Sequence, residues 1–343
     1  MRETSVERRW AWRWGVNRWL VLAFIVLGAF AASTFPPVRP EILLPAEALS
    51  GPLFSIPGIG ELRITNTLVA LVFADILLLL LALSVRRAVT SKRMHPLTGI
   101  TGAVEALLEY LYNLTESTAG RWAGRIFPWV GTIVLLVLVA NWMELIPGVD
   151  SVGLLHHAEA EGHPTQELFR VGNLPVVTIV GGETAAEGHE GFTLVPYVRA
   201  VATDLNFPLA LALVSVVMTQ VYGVWSQGVS YFTKFFNART LFNRPFFGTI
   251  DFGVGLLELV SEISKVISFT FRLFGNIFAG SVLLFVIGSL VPVFAQTLFL
   301  MLEFFVGMIQ AIIFGMLTLV FMAQAVAGHG HGPDEAPQGA SHA

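Results

Sequence analysis

Long apolar runs dominate the hydrophobic pattern of the chain. Six runs are long enough, or nearly so, to cross the hydrocarbon core of a bilayer, which requires about 20 mostly apolar residues in a helix. They cover residues 19–35, 64–85, 128–147, 206–226, 252–291 and 297–326. The last two exceed one perpendicular crossing, so we expect tilted or bent helices. Because the runs are continuous rather than alternating, they favour helices over a β-barrel.

The first apolar run permits two interpretations. Arginines precede a short apolar stretch that ends in small residues near Ala32. This order is typical both of an uncleaved anchor helix and of a cleaved signal peptide, and the sequence leaves the choice open. Either interpretation has residue 64 enter the membrane from outside.

Two further segments have patterns of their own. Residues 97–120 place leucines and other apolar residues at helical spacing, with Glu105, Glu109 and Glu116 between them. This pattern predicts an amphipathic helix lying on the membrane surface. The 148–205 segment is a long, acidic, glycine-rich loop, and the 328–343 tail has a composition typical of disorder.

The basic residues predict an orientation. Of the 20 lysines and arginines, fourteen fall in the first tail and in the alternate loops 86–127 and 227–250. Only four fall in segments 36–63 and 148–205. Because basic loops stay in the cytoplasm, we expect six crossings with both termini cytoplasmic.

Composition supports this class of protein. The chain is 55% hydrophobic and only 13% charged, about half the charged fraction of soluble domains. These values exclude a disordered chain and argue against an ordinary soluble enzyme. The net charge of −4 argues against nucleic-acid binding, and the absence of cysteine excludes disulfides and thiolate metal sites. The predicted fold class is therefore an all-α polytopic membrane protein.

The fifth apolar run carries an unusual number of polar residues. They recur at steps of three or four, so a helix places them along one stripe. Along the helix axis, Glu258 and Arg272 are about 21 Å apart. The stripe consists of Glu258, Glu262, Lys265, Ser268, Arg272 and Asn276. Pairing within the helix can account for the two glutamates and the lysine.

Arg272 is harder to explain by local pairing. No acidic residue stands at positions 268, 269, 275 or 276, and arginine stays protonated in proteins. A permanent charge within the membrane must face water or a carboxylate on another helix or another chain. We therefore predict a functional role for Arg272.

Other polar residues lie in the neighbouring spans. Glu303 and Gln310 are seven residues apart and so share a helix face, where a carboxyl group can relay protons or simply contact another helix. Asn141 and Glu144 share a face near the outer end of the third run.

The sequence around Arg272, RLFGNIFAG at 272–280, resembles the arginine motif of subunit a of F-type ATP synthases. Further stretches resemble the family in order and spacing, and together they cover about 62–327. These stretches are LLELVSEISKVISFTFRLFGN, NWMELIPG, ATDLNFPLALAL and QAIIFGMLTLVF. The resemblance implies five family membrane helices after the N-terminal anchor or signal helix. The last two helices would be long, tilted and packed on a ring of c subunits.

The resemblance also implies roles for individual residues. Arg272 matches the stator arginine, which interacts with the c-ring carboxylate and blocks proton leakage between two half-channels. The outer half-channel would contain Asn141, Glu144, Asn276, Ser281, Glu303 and Gln310. The cytoplasmic half-channel would contain Glu258, Ser261, Lys265 and Ser268. Some family members carry glutamate at the position of Ser281 and histidine at that of Glu303. In this chain the acidic residue of the pair stands instead at position 303.

The resemblance further implies partners and a division of the chain. The partners would be the c-ring, b-type peripheral stalk subunits, the rest of the ATP synthase and the lipid bilayer. The chain lacks a Gly-Lys-Ser/Thr phosphate-binding motif, so we expect no cofactor and place ATP chemistry on other subunits. We expect an N-terminal region at 1–61, a membrane domain at 62–327 and a tail at 328–343.

Two other functions remain open from the residues. A secondary ion transporter also needs charges within the membrane, although the inverted repeats and matching broken helices typical of that class are not evident. A metal site is conceivable from HHAEAEGH and GHGHG, but no framework fixes the spacing of these histidines. The competing interpretation is a solvated loop and tail, and we assign no metal ligand.

Overall fold

The computed structural model is mostly helical. It describes residues 14–34, 46–57, 60–90, 99–146, 148–157, 163–171, 174–179, 191–235, 245–290 and 294–327. The α-helices in these ranges are α1 Trp14–Thr34, α2 Asn66–Thr90, α3 Ile100–Ala119, α4 Ala123–Glu144, α5 Asn206–Gln227, α6 Pro245–Leu290 and α7 Phe294–Ala327.

The predicted fold class is confirmed. Five helical segments in the described ranges are long and apolar enough to cross a membrane: Asn66–Arg87, Ile100–Glu144, Asn206–Gln227, Phe252–Leu290 and Ala295–Ala327. The first apolar run forms α1, whose apolar part, Arg18–Phe30, is shorter than a full span. The protein is therefore an all-α polytopic membrane protein.

The chain divides into two compact units. In the described part of the chain, the larger lies within residues 46–150, 197–278 and 305–327, and the smaller lies within residues 14–34, 151–196 and 279–304. The core of the larger unit is formed by side chains from α3, α4, α5, α6 and α7. Its fully buried members include Leu111, Ile126, Val130, Val134, Leu273, Ile277, Leu319 and Met322.

The predicted amphipathic segment forms α3. Leu111 and Thr115 are buried against α4, and the Tyr112 and Phe127 rings meet edge to face with centroids 5.2 Å apart. A short 3-10 helix, Gly120–Trp122, then leads into α4. The helix is confirmed, while its position on the membrane surface stays a prediction.

The long outer loop contains strands that the sequence analysis did not predict. In the smaller unit, β3 (Gly153–His157) pairs antiparallel with β6 (Phe192–Pro196). Likewise, β4 (Thr165–Val171) pairs with β5 (Leu174–Ile179). These strands are short and one pairing is distant in sequence, so hydropathy gives little indication of them. Residues 158–162 of the HHAEAEGH segment and the 328–343 tail, which contains GHGHG, lie outside the described residues.

The larger unit contains a small hairpin, and a polar network lies near its strands. Strands β1 (Phe54–Ile56) and β2 (Gly60–Leu62) pair antiparallel ahead of α2. The Thr67 hydroxyl donates to Asp204 Oδ2 at 2.9 Å, and the Asn206 backbone N–H donates to Asp204 Oδ1 at 3.0 Å. The Asp204 carboxylate thus accepts a hydrogen bond from the first turn of α5 and ties this turn to α2.

The C-terminal ends of α5 and α7 meet at one end of the larger unit. The Ser226 hydroxyl donates to the Val326 carbonyl at 2.8 Å, and Gln227 Nε2 donates to the Ala325 carbonyl at 2.7 Å. These side chains satisfy carbonyls that the last turn of α7 leaves without a helical partner. We call this end of the larger unit, where Gln227 meets Ala325, the basic end, because the short helix Gly228–Lys234 that follows α5 ends in Lys234.

Candidate functional site

Arg272 lies on the exposed side of α6. Its guanidinium makes one long hydrogen bond within the described ranges, from Nη2 to Ser268 Oγ at 3.4 Å. No ion pair among the described residues includes Arg272. The next residue, Leu273, is only 1% exposed, while the preceding Phe271 is 57% exposed. Arg272 and Phe271 therefore face away from the core of the larger unit.

Several predicted site residues share this outward side. Ser261, Ser268 and Asn276 are all exposed, as is Arg272. Exposed apolar residues flank them, including Ile263, Ile267 and Phe271. The structure thus brings the hydroxyl and amide members of the stripe and the arginine onto one exposed side of α6.

The acidic and lysine members of the stripe form a separate charge cluster near the basic end. Glu262 is buried, and its Oε1 accepts hydrogen bonds from Lys265 Nζ at 3.0 Å and from Lys234 Nζ at 3.3 Å. Glu258 Oε1 lies 3.7 Å from Lys234 Nζ, and its side chain is 39% exposed. The positive charges of two lysines and the negative charges of two glutamates therefore cancel. We call Lys234, Lys265, Glu258 and Glu262 the Lys234 cluster.

Lys234 is held by aromatic residues as well as by carboxylates. Its Nζ lies 4.2 Å from the Tyr231 ring centroid and 4.5 Å from that of Phe235. It also donates to the Tyr231 hydroxyl at 2.7 Å, and that hydroxyl donates to Gln220 Oε1 at 2.8 Å. Burial opposes the charge, but the hydrogen bond to Tyr231 and the Glu262 carboxylate outweigh it and raise the pKa of Lys234.

The other lysine of the cluster is also packed on an aromatic ring. Lys265 Nζ lies 4.7 Å from the Phe321 ring centroid, and Phe321 stacks on Phe269 with centroids 5.5 Å apart. The Glu262–Lys265 pair is the i,i+3 arrangement that helices favour. Pairing within the helix is therefore seen for these two residues, and Lys234 adds a partner from outside it.

Asn141 is buried between helices of the larger unit. Its Nδ2 donates to the Gly307 carbonyl of α7 at 3.2 Å, while its Oδ1 has no hydrogen-bond partner among the described residues. Gln310, one turn further along α7, is half-buried, and so is Glu144 at the end of α4.

Glu303 and Ser281 are buried in the smaller unit. The Glu303 carboxylate lies against Gly280 of α6, where a Cβ would overlap both of its oxygens. Its Oε1 is buried and has no hydrogen-bond partner in the described part of the chain. A buried carboxyl group that lacks a hydrogen-bond partner is costly unless it is protonated or meets water, so its chemistry suits proton exchange.

A cavity of about 960 Å³ opens beside the start of α5 in the larger unit. Its polar lining includes Glu61, Arg63, Thr67, Asp204 and Asn206. None of the residues that the sequence assigned to the outer half-channel lines it. Over the ranges that the structure describes, no group of three or more His, Asp or Glu side chains is arranged to hold a metal ion.

Two residues of the candidate site were missed by sequence reasoning. Lys234 lies 28 residues before Glu262, so no helical spacing connects them. The sequence places Lys234 only in the basic loop 227–250. Gly280 is part of the arginine motif, but only the packing of α7 shows that it faces Glu303.

These features define a multi-pass helical membrane protein with ionisable side chains inside its spans. A profile of the family described as "ATP synthase A chain" matches residues 67–323. The chain belongs to this family, which confirms the resemblance to subunit a and makes the protein a subunit of an ATP synthase.

Individual relatives agree with the family profile. ATP synthase subunit a of Mycobacterium bovis is 28% identical over 239 residues, covering 68% of this chain and 74% of the relative. Its counterpart in Mycobacterium tuberculosis gives the same values. ATP synthase subunit a of Alteromonas mediterranea is 30% identical over 199 residues, covering 57% of this chain and 60% of the relative.

Proposed function

We propose that this chain is the proton-translocating stator of its ATP synthase. It provides two half-channels that lead from opposite sides of the membrane to carboxylates on a rotating c-ring, and it couples proton flow to rotation and ATP synthesis. The observation that carries the proposal is Arg272, a permanent cation on the exposed side of a spanning helix with only Ser268 as a hydrogen-bond partner in the described ranges.

The chemistry of Arg272 explains why a carboxylate partner fits. An ionised carboxylate is expensive in hydrocarbon, whereas a protonated one enters lipid at much lower cost. Arg272 stabilises the ionised form at one place only, on its own outward side. A ring carboxylate is therefore charged beside Arg272 and neutral on the rest of its path, so protons cannot pass directly between the two half-channels.

The outer half-channel delivers protons to the ring. Its polar groups are Asn141, Glu144, Asn276, Ser281, Glu303 and Gln310. Burial of the Glu303 carboxyl group, whose Oε1 has no hydrogen-bond partner in the ranges that the structure describes, supports this assignment, because such a group gains from exchanging a proton with water or a neighbouring acid.

The cytoplasmic half-channel releases protons from the ring. Glu258 is the partly exposed carboxylate at its mouth, and the exposed hydroxyls of Ser261 and Ser268 lie between it and Arg272 along α6. Lys265 also lies on this path. Its positive charge is neutralised by the Glu262 carboxylate, which accepts its hydrogen bond. Compensation matters since unpaired lysines would repel a passing proton.

The energy scale requires repeated proton transfers. One elementary charge crossing 100 mV provides about 2.3 kcal/mol, so several protons must pass for each ATP. Continuous rotation of a ring past a fixed arginine meets this requirement. The partners are accordingly the c-ring and b-type peripheral stalk subunits. The distribution of basic residues supports a bacterial inner-membrane location with a cytoplasmic C-terminus.

Replacement of Arg272 tests the mechanism. In the complete ATP synthase reconstituted into vesicles, Arg272→Ala should abolish proton-driven ATP synthesis. Arg87→Ala is a matched control, since Arg87 is also an exposed arginine on a membrane helix, and it should retain synthesis. Normal coupled synthesis by Arg272→Ala would refute the stator role.

Cross-linking tests the ring-facing side of α6 independently. The chain has no cysteine, so single cysteines can be introduced without removing others. Phe271→Cys, on the exposed side, should form a disulfide with a cysteine placed beside the c-subunit carboxylate. Leu273→Cys, at a position that is 1% exposed, should not. Equal cross-linking at both positions, or none at Phe271→Cys, would contradict the proposed interface.

A further inference from the structure

An arginine packed against two tryptophans, whose rings meet edge to face with centroids 6.0 Å apart, lies apart from the proposed proton path. The Arg125 guanidinium carbon is 5.1 Å from the Trp122 ring centroid and 4.5 Å from the Trp225 centroid. Tyr222 stacks on Trp225 with centroids 5.9 Å apart, and its hydroxyl donates to the Arg125 carbonyl at 2.8 Å. Side chains from the 3-10 helix before α4 and from the end of α5 therefore pack against the guanidinium.

The hydrogen-bonding capacity of Arg125 is unused by the described protein. Its guanidinium forms no hydrogen bond and no ion pair with any residue in the described ranges. A guanidinium over an indole ring keeps its N–H donors in its own plane, in a fork that matches phosphate or carboxylate oxygens. Arg125 is exposed, and Trp225 is 59% exposed. The site is thus built and open to a ligand.

Its position in the bundle indicates where the ligand comes from. Arg125 and Trp225 lie at the basic end, where Ser226 and Gln227 join α5 to the last turn of α7. Membrane helices end at the lipid headgroups, and tryptophan prefers this level because its ring is apolar and its N–H is polar. The phosphate of a phospholipid is the anion most abundant there.

We propose that Arg125, Trp122 and Trp225 bind the phosphate of an anionic phospholipid in the leaflet at the basic end. The guanidinium donates to the phosphate oxygens, and the indoles hold the guanidinium in place. Arg121, one turn away, adds a second positive charge, which opposes the cationic headgroup of a zwitterionic lipid and favours an anionic one. The site is independent of the proton path and of the stator role.

Native mass spectrometry of the full chain in detergent tests the site. Phosphatidylglycerol and phosphatidylcholine with identical acyl chains are titrated separately, and sodium phosphate forms a third arm. We expect phosphatidylglycerol to bind about fivefold more tightly, which corresponds to about 1 kcal/mol for one basic residue near a membrane surface. Arg125→Gln should remove this preference. Arg86→Gln, which replaces an exposed arginine near the C-terminal end of α2, should keep it.

A second variant separates a built site from diffuse attraction. Trp225→Ala leaves every charge in place but removes one wall of the site, so it should also reduce the preference, and it decides the question if Arg125→Gln does not fold. The proposal is overturned if the wild type binds both lipids equally or if Arg125→Gln keeps the preference. Equal losses in Arg125→Gln and Arg86→Gln would also overturn it. Saturation by sodium phosphate at comparable concentration would show a soluble anion site instead.

Discussion

The Glu303 carboxylate packs against the Cα of Gly280, and only the absence of a side chain at position 280 leaves room for it. Helices α6 and α7 approach one another here within the smaller unit. The arrangement holds a buried carboxyl group in one place by shape alone, since Oε1 has no hydrogen-bond partner among the described residues. The glycine is therefore a positioning residue for the acid.

Replacement of Gly280 by alanine should impair proton transfer. The new methyl group must displace the Glu303 carboxylate, and misplacing a reacting group by about 1 Å can cost up to a hundredfold in rate. We expect proton-driven ATP synthesis in reconstituted vesicles to fall at least about tenfold. Gly253→Ala is the control, because a Cβ there meets no atom within 4 Å. Equal rates for the two variants would contradict the positioning role.

The two glutamates of the Lys234 cluster should differ in their effects on stability. Glu262→Gln keeps an oxygen that can accept from Lys234 and Lys265 but removes the negative charge that balances them, so it should lower the free energy of unfolding by about 3–5 kcal/mol. Glu258→Gln removes only a longer, partly exposed ion pair and should cost about 0–1 kcal/mol. Thermal unfolding in detergent measures both variants. A larger loss of unfolding free energy for Glu258→Gln than for Glu262→Gln would contradict the central place of Glu262 in the cluster.

Lys234 should stabilise the protein in a pH-dependent way. Because its pKa is raised in the folded state, its contribution is fully present below the ordinary value of 10.5 and is lost as the pH rises through the folded-state value. Lys234→Met should therefore be less stable than the wild type at neutral pH, by about 1–2 kcal/mol. Thermal unfolding at alkaline pH should show the difference disappearing. A constant difference would mean that only packing of the lysine stem matters.

Asn141 should affect function more than stability. Asn141→Ala removes one buried hydrogen bond between helices, which costs about 1 kcal/mol in membrane proteins. Ser215→Ala removes another, the 2.8 Å bond between Ser215 and Thr318, and should cost the same. If Asn141 belongs to the outer half-channel, only Asn141→Ala should also reduce proton-driven synthesis. Parallel losses of synthesis in both variants would assign Asn141 a structural role alone.

The membrane helices could be predicted from sequence because hydrocarbon imposes a length and a composition on each span. The run at 252–291 becomes part of α6, which begins seven residues earlier, and the run at 297–326 becomes part of α7, with the other three ends within three residues. The outer loop follows no such constraint. Its β3–β6 pairing joins residues that are distant in sequence, so it depends on contacts that a local pattern does not contain.

The candidate site divides along the same line. The helical period places Ser261, Ser268 and Arg272 on one side of α6, and the structure exposes all three. The period cannot show that Glu262 points inward to meet Lys234, because that partner comes from a separate segment. It also cannot show that Gly280 gives Glu303 its place.

The outward position of Arg272 bears on how the enzyme is assembled. A newly made chain inserted by itself would present a bare guanidinium to lipid tails, at a cost of about 2.5–3.5 kcal/mol on insertion scales. The acidic ring that we propose as the partner would cancel that cost on docking. We therefore expect the chain to insert more stably when that ring is already in the membrane.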